Sequence, residues 1–103
     1  GAHVRSLGEN GTKPGQFKSP SGIVVLRGVL FVAEYVGQRV QALQLDGTPI
    51  QVLQVPDATS LYDLAVTAPS GSGSCTLYVT DFATSELHVL ALELAQLKGA
   101  RTG

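Results

Sequence analysis

The stretch "PSGIVVLRGVLFVAEYVGQRVQALQLDG" runs from Pro20 to Gly47. It holds three runs rich in β-branched and apolar residues, Gly22–Leu26, Val29–Glu34 and Arg39–Leu45, separated by turn residues. Runs of that length and composition are strands. Arg27-Gly28 is a two-residue hairpin signal, since Gly takes positive φ without strain, and Asp46-Gly47 is a stronger one. In "VLFVA" the apolar residues follow one another without alternation, so neither face of that strand can be solvated. The stretch predicts an antiparallel meander whose middle strand needs a neighbour on each face. "QRVQALQL" is more mixed, as expected of a strand nearer a rim.

The same grammar extends outward. Strands are predicted at His3–Leu7, Pro49–Val55, Leu61–Thr67, Thr76–Asp81 and Glu86–Leu92, and the Gly/Ser-rich Ala68–Cys75 is a loop. "SELHVLALELAQLKG" supports two readings. Leu87, Leu90, Leu94 and Leu97 fall at helical spacing with Lys98-Gly99 as a stop, whereas an internal repeat favours a strand at Glu86–Leu92.

That repeat emerges when the chain is slid along itself. "SGIVV" (Ser21–Val25) aligns with "YDLAV" (Tyr62–Val66), and "LFVAEYVGQRVQALQL" (Leu30–Leu45) aligns with "LYVTDFATSELHVLAL" (Leu77–Leu92). The offsets are 41 and 47 residues, and the added six fall in the Ala68–Cys75 loop. Insertions there cost little. Two units of this length, each with about four short strands, carry the periodicity of propeller blades.

The first unit resembles an NHL repeat through Gly15-Gln16-Phe17, Pro20, Gly22-Ile23, Val32-Ala33, Arg39-Val40-Gln41 and Gly47. Glu34 stands where the family usually has Asp, and Leu43 where it usually has Phe. The second unit is degenerate: it keeps Tyr78-Val79-Thr80-Asp81, lacks the Gly-Gln-Phe segment and has Glu86 in place of Arg. The resemblance implies an all-β fold of two four-stranded antiparallel blades, about 14–55 and 56–93. Residues 1–13 would be an outer strand and turn, and 94–103 a tail. It also implies a role in binding proteins, RNA or small ligands, with lyase- and lactone-hydrolase-like enzymes as a minority.

Two blades do not close a propeller, and repeat folds generally need about three or more units for stability. The chain contains no Met, and with the incomplete blade count this leads to the expectation of a processed chain, a part of a longer propeller, or an oligomer. Three copies would supply six blades, with His3–Leu7 of one copy completing the last blade of the next.

Composition narrows the function classes. The 103 residues carry a net charge of −1, from seven Lys+Arg and eight Asp+Glu, with the basic residues scattered along the chain. This disfavours a nucleic-acid partner. No apolar run reaches the ~18 residues of a membrane helix. Cys75 is the single cysteine, so no internal disulfide can form.

No motif for a serine triad, a phosphate loop or a zinc site is present. With no such motif, the resemblance implies a non-catalytic interaction scaffold without cofactor, whose partner is another protein or further copies of itself. The candidate binding residues are Tyr35, Gln38, Phe82 and Thr84, on equivalent loops of the two units. Glu34 and Arg39 are expected to form a structural ion pair. Asp81 and Glu86 occupy the same places in the second unit, where two like charges cannot pair. The alternative is a piece of a propeller enzyme with a metal on its axis, for which Glu34, Asp63 and Asp81 are the candidate ligands; a further alternative is an RNA-binding propeller, disfavoured by the scattered basic residues.

Overall fold

A computed structural model describes residues 4–69, 71 and 73–97. The elements are β1 (Glu9–Asn10), β2 (Gln16–Phe17), β3 (Pro20–Leu26), β4 (Val29–Glu34), β5 (Arg39–Gln44), β6 (Pro49–Gln54), β7 (Leu61–Thr67), β8 (Ser74–Asp81) and β9 (Glu86–Glu93), followed by a 3-10 turn at Leu94–Gln96. The fold is all-β. β3–β6 form a four-stranded antiparallel meander and β7–β9 a three-stranded one, while β1 and β2 make a short parallel pair. Among the described residues no helix is long and apolar enough to cross a membrane.

The turns follow the expected chemistry. Arg27 (φ 49°) and Gly28 (φ 80°) join β3 to β4 with two consecutive left-handed residues, the backbone of a tight hairpin. At the β5–β6 turn Gly47 has φ 92°, and the Asp46 carboxylate accepts the Thr48 N–H at 2.9 Å. This self-capping is what Asp does in turns.

The two meanders pack face to face. Val29, Phe31, Ala33, Val40 and Ala42 of the first sheet meet Leu61, Leu64, Cys75, Leu77 and Val79 of the second in one buried core. Gly22 lets the backbones approach: a Cβ there would stand 3.0 Å from Asp63 Cα and 3.1 Å from the Tyr62 carbonyl oxygen. The Ser21 hydroxyl donates across the same seam to the Leu61 carbonyl at 2.9 Å.

The pairing registers of the two sheets coincide. Ile23↔Val32 and Val25↔Leu30 have counterparts in Leu64↔Val79 and Val66↔Leu77. Phe31↔Ala42 and Val32↔Gln41 have counterparts in Tyr78↔Val89 and Val79↔His88. Each pair in the second sheet lies at the 41- and 47-residue offsets read from the sequence. The irregularity at Pro20/Gly22 also returns at Leu61/Leu64.

Several expectations change. Val4–Leu7 forms no strand, and His3 lies outside the described residues. The Leu7 side chain instead lies beside Gly47 of its own chain, 3.4 Å from where a Cβ would stand. The mixed strand β5 is third of the four, nearer the edge than β4 as expected, yet it is buried on both faces from Arg39 to Leu43. Its polar side chains are covered because the segment before β3 lies over them. Glu86–Glu93 is a strand, and the turn after it buries Leu94 and Leu97. Leu94 and Leu97, read as the start of a tail, are thus part of the core. The helix stop at Lys98-Gly99 lies outside the described residues.

Candidate functional site

The loops Tyr35–Gln38 and Phe82–Ser85 follow β4 and β8 at the same end of the two sheets. Their backbones match. Tyr35 N–H donates to Ser19 O at 2.8 Å, and Phe82 N–H donates to Ser60 O at 2.8 Å. Gln38 (φ 58°) and Ser85 (φ 59°) both take the left-handed conformation just before the next strand.

Beneath the first loop lies a buried polar network. Glu34 is fully buried and receives its charge partner from Arg39 Nε, together with Gln41 Nε2 at 3.1 Å and Lys18 N–H at 2.7 Å. Arg39 also donates to the carbonyls of Thr12 at 2.7 Å and Gln16 at 2.9 Å, and Gly15 N–H donates to Gln41 Oε1 at 2.9 Å. An ion pair can be held in a dry interior only when its remaining hydrogen-bonding capacity is satisfied as well. Here residues 12–18 supply those groups, so the pair fastens the chain ahead of β3 onto β4 and β5.

Beneath the second loop the same place is filled differently. Asp81 is buried and accepts the N–H groups of Thr59 at 2.8 Å, Ser60 at 3.1 Å, Ala83 at 3.2 Å and Thr84 at 3.2 Å. His88 Nε2 lies 3.0 Å from its Oδ2. Burial opposes ionisation of this carboxyl, but the His88 contact and the backbone donors outweigh it and hold the group well below its usual range. His88, at the position equivalent to Gln41, makes the side-chain contact to Asp81 that Arg39 and Gln41 make to Glu34. The Thr59 N–H to Asp81 bond is the counterpart of Lys18 N–H to Glu34.

The candidate binding residues divide. Phe82 is 70% exposed and lies against Tyr62, with ring centroids 6.1 Å apart and planes tilted by 42°. Tyr35 is 37% exposed at the equivalent position of the first sheet, and Gln38 is exposed beside it. Thr84 serves the interior instead: its N–H caps Asp81, and its hydroxyl is buried without a hydrogen-bond partner. Tyr62 was missed because strand alternation alone does not place it near Phe82. The Leu61↔Asp81 pairing does.

Glu34 and Asp81 are thus engaged with protein donors, and the Asp63 carboxylate accepts the Leu64 N–H at 2.8 Å. Among the described residues no group of three or more His, Cys, Asp or Glu is placed to hold a metal ion. Cys75, read as a loop residue, lies inside β8; burial pushes its thiol up and so disfavours the reactive thiolate. On the outer face of the first sheet an apolar groove of about 390 Å³ is lined by Leu7, Phe17, Ile23, Leu30, Val32 and Leu43, among others. The chain matches no protein-family model and no curated protein.

Proposed function

We propose that this chain supplies two blades of an NHL-type β-propeller, completed by further blades or by further copies, and works as a non-catalytic protein-interaction scaffold. Its two meanders would be neighbouring blades, and the loop end bearing Tyr35, Tyr62 and Phe82 would be the contact surface. The single observation that carries the reading is the solvent-exposed Tyr62–Phe82 pair. Aromatic side chains with a polar tip or an open face supply much of the binding energy at protein interfaces. The buried carboxylate under each loop holds that loop rigid, which lowers the ordering cost of binding. The matching registers and the resemblance of Gly15–Gly47 to the repeat support the propeller part of the reading.

Selection from a displayed random-peptide library against the 103-residue chain tests the proposal. Convergent peptides are expected, with binding weakened at least about tenfold by Phe82→Ala or Tyr62→Ala. Failure to select a convergent family, or binding indifferent to both substitutions, would overturn it.

A further inference from the structure

The register match between the sheets identifies what covers their two outer faces. The face that the first sheet buries against the second carries Val24, Phe31, Val40 and Ala42. At the repeat offsets their counterparts are Ala65, Tyr78, Leu87 and Val89. These share the outer face of the second sheet, where Leu87 is 57% and Val89 59% exposed. The reverse also holds. The second sheet buries Leu64, Leu77, Val79 and Leu90 against the first, and their counterparts are Ile23, Leu30, Val32 and Leu43. Those four line the apolar groove on the outer face of the first sheet. Val32 and Leu43 of that groove are already buried by their own chain, so its open part is the exposed Ile23 and the half-buried Leu30. These two, like the open face of the second sheet, are the repeat images of residues buried inside the chain.

We infer that a second copy of this chain stacks head to tail on the first. The open face of the second sheet, around Tyr78, Leu87 and Val89, seats on the groove of the next copy, around Ile23 and Leu30. The contact repeats the packing of the two sheets within one chain. It is heterologous, so each copy offers one donor face and one acceptor face, and it propagates until the rotation closes a ring. The surface is distinct from the aromatic loop end and does not depend on it.

The image is imperfect in an informative way. Thr76, Thr80 and Asp63 stand in the open face where Val29, Ala33 and Gly22 stand in the buried one. Gly22 admits close backbone approach, whereas Asp63 adds a side chain at the matching place. These polar groups make the contact between copies weaker than the one within the chain, so it reads out as reversible, concentration-dependent assembly.

Sedimentation of the 103-residue chain from micromolar to millimolar concentration tests the inference, together with Val89→Glu on one face and Ile23→Glu on the other. Both side chains are more than half exposed, so the variants keep the fold, checked by their thermal transitions. The parent chain is expected to form discrete multiples of 10.7 kDa. Each variant alone is expected to dissociate at least about tenfold more readily. An equimolar mixture of the two, which retains one intact donor and one intact acceptor face, is expected to give a one-to-one dimer. A parent chain that stays monomeric throughout would overturn the inference. So would a variant that assembles like the parent, or a mixture that stays monomeric.

Discussion

Phe31 and Tyr78 hold the same place in two sheets of the same register, yet one is fully buried and the other half-buried on an open face. Glu34 and Asp81 form a second such pair, both buried, one balanced by an arginine and the other by backbone donors and a histidine. The backbone pattern was kept between the two units while the side-chain solution was changed. Burial in this fold is thus set by which sheet happens to have a neighbour. Charge compensation is set by which chain segment is laid over the loop.

The sharpest way to break the first pair is truncation. Phe31→Ala removes a ring from the packed seam and is expected to cost about 3–5 kcal/mol in urea unfolding. Tyr78→Ala at the equivalent place should cost less than half as much in the dilute chain. Equal losses would show that the two positions are equally covered. The second pair is tested by Arg39→Met, which leaves Glu34 buried without its counter-charge. The expected loss is about 3–5 kcal/mol, accompanied by proteolytic exposure of residues 12–18. His88→Ala should be milder, since four backbone donors remain on Asp81.

Gly22→Ala drives a methyl group into the β7 backbone and is expected to cost about 1–3 kcal/mol. Gly73→Ala serves as its control: the added Cβ would meet nothing within 4 Å, and the change should stay within about 0.5 kcal/mol. The last contrast concerns pH. A carboxyl held below its ordinary value stabilises the fold fully above its unfolded-state pKa of about 3.8, and that contribution is lost as the pH falls below it. Urea midpoints from pH 6 down to pH 2 should therefore fall less steeply in Asp81→Asn than in the parent chain.

Much of this was legible in the sequence because it is local. Val29–Glu34 and Leu61–Thr67 are strands over the full ranges read from their composition, and Arg27-Gly28 turns as Gly chemistry requires. The offsets of 41 and 47 residues reappear as pairing registers, since alternation fixes which residues may face one another. The expected pairing of Glu34 with Arg39 was also legible, the two lying five residues apart on either side of one loop.

Other features were not legible because they depend on segments distant in the chain. "QRVQALQL" looks half-polar, but residues 12–18 cover it, and only the hydrogen bonds that Arg39 and Gln41 make with those residues reveal that. The strand expected at His3–Leu7 gave way, over Val4–Leu7, to a segment that leaves Leu7 against Gly47. Nothing in the spacing of Asp81 and Glu86 pointed to His88 as the compensating group. Its seven-residue separation from Asp81 becomes a contact only through the β8–β9 pairing.

By itself the sequence determined the strands of the two meanders, their turns and their twofold repetition, because periodicity and turn chemistry act over a few residues. Only the tertiary structure decided which copy of each repeated position is dry and which is open. That choice belongs to contacts between sheets, where an identical register can meet either a neighbour or solvent.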